Sequence, residues 1–214
     1  PRDAMPQVQR AMAPLFTRTT KRELALPEPR FEVRLVPLEG LHADIYQVLR
    51  SRVASRYATS AADATTLSRM GRVVMYLLEA ATNPALLPAG SASSDPPLFQ
   101  HPPLDIPAGS RLADLIAEYG RYETPRKFVE LARIVGDNAG QGRKTLVWSN
   151  FVRNVEQLAY RVLPGLHPAI VHGGIPMDDS AAGSGPTRGQ ELHRFRTDPD
   201  CHVLLANPAA LGEG

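Results

Sequence analysis

Ser149 and Asn150, His172 and Gly173, and Asn207 each stand where a short apolar run ends, and Arg188 lies between the second and third of these runs. In an open parallel sheet the groups that meet a ligand collect at the carboxyl ends of the strands. Small polar side chains, glycine and helix-initial backbone N–H groups at such an edge suit a phosphate, and an arginine beside them suits its charge. Each residue also has a plainer use. Ser149 or Asn150 can cap the following helix, a His-Gly-Gly turn is an ordinary loop, and an arginine near a helix start is commonly solvated.

Other chemistries find less support. A serine hydrolase needs a Gly-x-Ser-x-Gly elbow, and no such pentapeptide occurs. Gly140-Gln141-Gly142-Arg143-Lys144-Thr145 imitates a phosphate loop, but Arg143 stands where that loop needs glycine, and the segment enters a strand instead of opening a helix. His42, His101, His167, His172, His193 and His202 lack zinc-site spacing. Asp178-Asp179 lies among Ser and Gly and reads as a solvated turn.

The 214 residues suffice for one large domain or two small ones. No apolar run approaches the ~20 residues that span a bilayer, so no membrane role is expected. A net charge of +2 demands no nucleic-acid partner by itself. Lys21, Lys127 and Lys144 are the lysines, and arginine supplies the remaining positive charge; this fits phosphate or carboxylate contacts and equally a GC-rich bacterial genome. The single cysteine, Cys201, fits a reducing cytoplasm and the start of a half-buried strand. The missing initiator Met and the abrupt Ala210-Leu211-Gly212-Glu213-Gly214 end suggest a fragment of a longer protein.

The elements that must position the site follow from periodicity. Asp3 to Leu15 can form a helix, with Pro6 in its first turn. Phe31, Val33 and Leu35 alternate with other residues as in a half-buried strand. Leu41, Ile45, Val48, Leu49, Arg52 and Val53, then Leu67, Met70, Val74, Leu77 and Leu78, have helical spacing. Pro84 to Ser110 is crowded with Pro, Ser, Ala and Gly, the composition of an extended connection without regular structure. It separates residues 1–110 from 111–214. Helices are expected around Leu112 to Ile116 and Phe128 to Val135, the second with Thr124 and Pro125 as cap and first turn. Then come strand Thr145 to Ser149, helix Val152 to Val162, strand Ala169 to His172, helix Thr187 to Arg196 and strand His202 to Ala206. That alternation predicts an α/β fold, a parallel sheet with helices on both faces.

Together these pieces resemble the SNF2-like branch of superfamily 2 helicases and DNA translocases. Lys144 to Phe151, ending in Trp148-Ser149-Asn150-Phe151, resembles motif IV: a lysine, an apolar strand and Phe-Ser-x-Phe. His172-Gly173 resembles the acidic-or-polar residue plus glycine that closes the next strand. Arg188 and Phe195 match an arginine followed seven residues later by phenylalanine, and His202 to Gly214 is similar to motif V. Upstream, Arg18 to Lys21 with Leu26-Pro27, then His42 to Leu49, Leu77 to Leu87 with Asn83-Pro84, and Pro125 to Phe128 are similar to the segment joining the motor lobes.

The resemblance implies two RecA-like lobes that hold ATP and Mg2+ between them and step along duplex DNA. This chain would be the mainly helical inter-lobe segment and part of the C-terminal lobe of a bacterial, cytoplasmic protein. The phosphate loop and Asp-Glu box of the N-terminal lobe, its expected partner, are absent, so the chain alone should not hydrolyse ATP. Ser149, Asn150, His172, Gly173, Arg188 and Asn207 would meet or support the DNA backbone, and Gly212, Glu213 and Gly214 would face the ATP side. One departure is Asn207-Pro208-Ala209, where the family usually has Ser-Thr-Arg. Asn207 could replace the lost hydroxyl contact, whereas Pro208 donates nothing. The alternatives are a RecA-like scaffold without turnover and a small-molecule enzyme on a similar sheet.

Overall fold

A computed structural model describes residues 28–57, 64–177 and 185–211. The expected Asp3–Leu15 helix, Asp178-Asp179 and Gly212 to Gly214 lie outside the described residues. The chain divides into two compact units, Pro1–Leu35 and Val36–Gly214. In the first, residues 28–35 form no strand, and Phe31, Val33 and Leu35 are exposed. Alternation supplies a face but no ladder partner, and among the described residues none pairs with this stretch, so the expected half-buried strand is not seen there.

The second unit begins with three helices around one core: α1 (Gly40–Tyr57), α2 (Ala64–Thr82) and α3 (Arg111–Tyr122). Ile45, Leu49, Ala80, Leu87, Leu112, Ile116 and Tyr119 form that core. Helix α1 opens against the carboxylate of Glu123, which accepts the amides of Leu41 at 2.8 Å and His42 at 3.3 Å. These are two of the donors that a helix start leaves without a partner. Gly40 suits this start because its φ of 56° lies in the left-handed region, which glycine adopts without strain.

The Pro84–Ser110 connection differs from the expectation of a segment without regular structure. It contains 3-10 turns at Pro84–Leu86 and Pro97–Phe99, and Leu86, Leu87, Asp95 and His101 are buried. It runs inside the Val36–Gly214 unit and carries no unit boundary, because its polar side chains reach distant backbone.

Helix α4 (Arg126–Gly140) leads into the sheet. The cap expected at Thr124 is not made: Pro125 occupies that place without a side-chain bond, and the helix begins at Arg126. Then follow β1 (Thr145–Trp148), α5 (Val152–Gln157) continuing as a π turn (Leu158–Val162), β2 (Ala169–Val171), α6 (Arg188–Thr197), β3 (Val203–Ala206) and α7 (Pro208–Leu211). The expected strands and helices of this part form within a residue or so of their predicted ends. The sheet is parallel with order β1-β3-β2.

All of β3 is buried, and its alternate residues feed two cores. Val203 and Leu205 join Val147 and Ile170 under Phe128, Val135, Val155, Leu158, Ala159 and Leu163. Leu204 and Ala206 join Ala169, Val171 and Cys201 under Leu192, Phe195, Ala210 and Leu211. Helices therefore cover both faces, as parallel strands require. The π turn, closed by Leu163 N–H on the Leu158 carbonyl at 2.8 Å, resets the helical phase so that Leu163 shares a core with Val155, Leu158 and Ala159. No helix among the described residues is long and apolar enough to cross a membrane.

One polar device starts α6 and a second fixes it to the sheet. Thr187 and Gln190 form a capping box, each side chain accepting the other's amide at 3.2 and 3.0 Å. Glu191, buried, accepts the Ile170 amide at 2.7 Å on the outer edge of β2 and pairs with Arg194, which reaches the His167 and Pro168 carbonyls. Glu191→Ala leaves the buried Ile170 amide without its acceptor and takes the carboxylate from Arg194, which keeps its two carbonyls, and we expect a loss of about 2–3 kcal/mol. Glu191→Gln keeps an acceptor and should lose less. Urea unfolding of both variants checks this order.

Candidate functional site

The site follows from the register of the three strands. Trp148 and Val171 both pair with Ala206, so the next residues, Ser149, His172 and Asn207, emerge side by side at the carboxyl edge. The Ser149 amide donates to the Ala206 carbonyl at 3.0 Å, and the Asn207 amide to that of Val171 at 2.9 Å. Arg188 reaches the same edge: Nε donates to the Ile175 carbonyl at 2.8 Å, and its terminal nitrogens lie 3.4 Å from the Gly173 oxygen and 3.5 Å from that of Ala210. Thus Ser149, Asn150, His172, Gly173, Arg188 and Asn207 are brought together.

Their individual environments differ. Asn207 is 1% exposed. Its Nδ2 donates to the carbonyls of Ser149 at 3.1 Å and Asn150 at 3.0 Å, while Oδ1 accepts the Ala209 amide at 3.1 Å. Pro208 has no N–H, so Ala209 provides the first donor of α7 for the side chain to cap. Asn207 is therefore a clamp across three strand ends, with both ends of its amide engaged inside the protein. Ser149 Oγ closes a local turn with Phe151, donating to its carbonyl at 3.1 Å and accepting its amide at 3.3 Å. Asn150 and Gly173 are exposed, and Arg188 is half-buried.

His172 is 7% exposed, and its Nδ1 accepts the Gly174 amide at 3.1 Å. That bond requires an unprotonated Nδ1, which puts the ring hydrogen on Nε2. Burial, the largest influence, holds this imidazole below its ordinary range, with Arg188 acting the same way and Glu156 and Asp95 opposing. His172 is neutral at neutral pH and supports the turn it begins.

Two residues absent from the sequence reading shape this edge. Asp95, 3% exposed, places Oδ1 2.7 Å from the Val152 amide and Oδ2 2.6 Å from that of Ala92. The Val152 donor at the start of α5, expected to be available to a phosphate, is thus already held by a carboxylate of the chain. Ser94 lies over the β2 turn, so close that a Cβ on Gly173 would come within 2.6 Å of its carbonyl oxygen. The glycine serves contact with the chain's own loop. A Ser-Ser-Asp-Pro-Pro stretch gives no periodic signal, so only a buried aspartate could have disclosed it.

Lys144 lies at the opposite, amino-terminal edge, where Nζ donates to the Phe195 and Asp198 carbonyls and caps the end of α6. Among the described residues no group of three His, Cys, Asp or Glu side chains could hold a metal ion. Cys201 is buried, and burial pushes its thiol up, away from reactivity.

The fold and the site therefore define a small parallel α/β sheet whose strand ends gather a polar edge. No protein-family model, curated protein or solved structure matches the chain.

Asn207→Ala removes two carbonyl contacts and one amide contact from a buried place, and a loss of about 2–3 kcal/mol is expected. Asn207→Asp should lose at least as much, because a carboxylate would face the Ser149 and Asn150 carbonyls. Denaturant midpoints check both values.

Proposed function

We propose that this chain is the inter-lobe segment and part of the C-terminal RecA-like lobe of an ATP-dependent, SNF2-like DNA translocase. The observation that carries the reading is the common level of Ser149, His172 and Asn207 at one sheet edge, with Arg188 bound beside them. Four motifs that are separate in sequence, in the order the resemblance requires, thereby share one surface. In this reading Asn150, Gly173 and the half-exposed Arg188 meet the DNA backbone. Ser149, His172 and Asn207 hold the turns that present them, so Asn207 is a positioning residue and takes no hydroxyl-like place on a phosphate. Backbone contacts make binding salt-dependent and largely indifferent to sequence. ATP and Mg2+ belong to the intact protein, whose N-terminal lobe supplies the phosphate loop and acidic residues; the resemblance alone assigns Gly212 to Gly214 to the ATP side. Coupling between lobes is chiefly positioning and electrostatics.

One observation favours the second reading, a RecA-like scaffold without turnover. The guanidinium of Arg188 is engaged by the carbonyls of Ile175, Gly173 and Ala210, a use that needs no ligand. ATP hydrolysis by the intact protein, with and without duplex DNA, separates the two. The motor reading expects stimulation by duplex DNA and a fall of about tenfold or more in Arg188→Ala, the loss of roughly one charge-assisted contact. Absence of hydrolysis in a folded protein carrying the N-terminal lobe would leave the scaffold.

A further inference from the structure

His101 and Glu79 form a pair closed off from water, with side chains 0% and 1% exposed and Nε2 3.2 Å from Oε1. Glu79 Oε2 is buried without a hydrogen-bond partner, so the pair relies on the contact between Nε2 and Oε1. The other ring nitrogen, Nδ1, lies 3.0 Å from the Pro102 carbonyl oxygen. A carbonyl only accepts, so Nδ1 carries the ring hydrogen. Nε2 then presents a lone pair to Glu79, and the contact is favourable while the Glu79 carboxyl keeps its own proton. With that proton gone, a buried carboxylate faces a nitrogen lone pair.

The groups that face Glu79 come from each neighbouring element. Tyr76, one turn earlier on α2, packs edge-on against the His101 ring at 5.2 Å and donates to the same Pro102 carbonyl at 3.0 Å. Asp95 adds negative charge, and Arg153 of α5, bound to the Gly90 carbonyl, adds positive charge. Burial outweighs these and pushes the Glu79 carboxyl up to about 7.

His101 ends a loop that is tied at its base and seated at its tip. At the base Ser91 Oγ accepts the His101 amide and donates to the His101 carbonyl, both at 3.0 Å. Within it, Asp95 binds the Ala92 amide, and Gln100 Nε2 donates to the Asp95 carbonyl at 2.9 Å. At the tip, Asp95 holds the Val152 amide, and Ser94 lies against Gly173. We propose that the Ser91–His101 loop is a strap across the carboxyl edge of the sheet, seated while Glu79 keeps the proton that faces His101 and lifted when Glu79 loses it. Lifting frees the Val152 amide and removes Ser94 from the Gly173 turn. This device stands whether or not the edge binds DNA.

The sign follows from the raised Glu79 value. Between the ordinary 4.5 and about 7, the seated protein binds more protons than the released one. The hold is complete below 4.5 and is lost as pH rises through about 7. His42 and His172, both held low by burial, act with the opposite sign, since acid weakens the fold as they protonate. A melting temperature mixes these effects, so the reading must be local.

Residue-resolved amide hydrogen exchange on the chain, without DNA, at about pH 6 and about pH 8 supplies it, each rate divided by its intrinsic rate. Protection of the Ala92 and Val152 amides should fall about tenfold between the two, as linkage to a carboxyl that titrates near 7 requires. Leu204 and Leu205 of β3 should keep theirs. Glu79→Gln, neutral at both pH values, should hold its protection constant. Equal protection of Ala92 and Val152 in the wild type at both pH values, or a loss extending through β3, would overturn the proposal; this wild-type comparison decides even if the variant fails to fold.

Discussion

Everything at the carboxyl edge depends on one constraint, the burial of β3 on both faces between two parallel partners. A strand so placed needs apolar residues at every position and a covering layer on each side. Val203-Leu204-Leu205-Ala206 meets the first demand; α4 and α5 on one face, α6 and α7 on the other, meet the second. Because both neighbours end opposite Ala206, the register at which they end is common, and the residues that leave the strands are neighbours. Asn207 then ties the three exits together.

Apolar packing makes the separate cores, and polar contacts join the helical part to the sheet. Asn83 Nδ2 donates to Asn154 Oδ1 at 3.1 Å and Gln157 Oε1 at 2.6 Å, Asp95 holds Val152, and Arg153 holds Gly90. Such contacts are directional and individually modest, so they fix one orientation while allowing local opening below the cost of global unfolding. A titratable pair set in that seam, Glu79 with His101, gives the opening a chemical control.

Legibility in the sequence followed the range of the interactions. The strands ending at Trp148, Val171 and Ala206 were readable because an apolar run meets a polar residue at each end, and the α6 start because Thr187 and Gln190 stand three apart. Phe31, Val33 and Leu35 misled because alternation marks a face only when a partner strand exists. Asp95 was hidden for a different reason: its partners, Ala92 and Val152, are respectively in its own turn and far along the chain, and neither leaves a pattern. Asn207 was found, but its type fits equally a phosphate contact and a buried clamp; only the register of three strands assigns the clamp. Arg188 likewise reads as an edge residue, while its carbonyl partners at Ile175, Gly173 and Ala210 leave no mark in the sequence.

The account thus separates residues that build the edge from those that can meet a ligand on it: Asn150, Gly173 and part of Arg188 remain on the surface. The hydrogen-exchange footprint of duplex DNA on this chain, taken at about 50 mM salt and again at about 200 mM, tests that separation directly, since backbone contacts weaken steeply over this range. The account predicts slowed exchange at residues 149–151 and 172–174 that disappears at the higher salt and does not depend on DNA sequence. No footprint at low salt, or one confined to the opposite edge around Arg143 and Arg196, would contradict it.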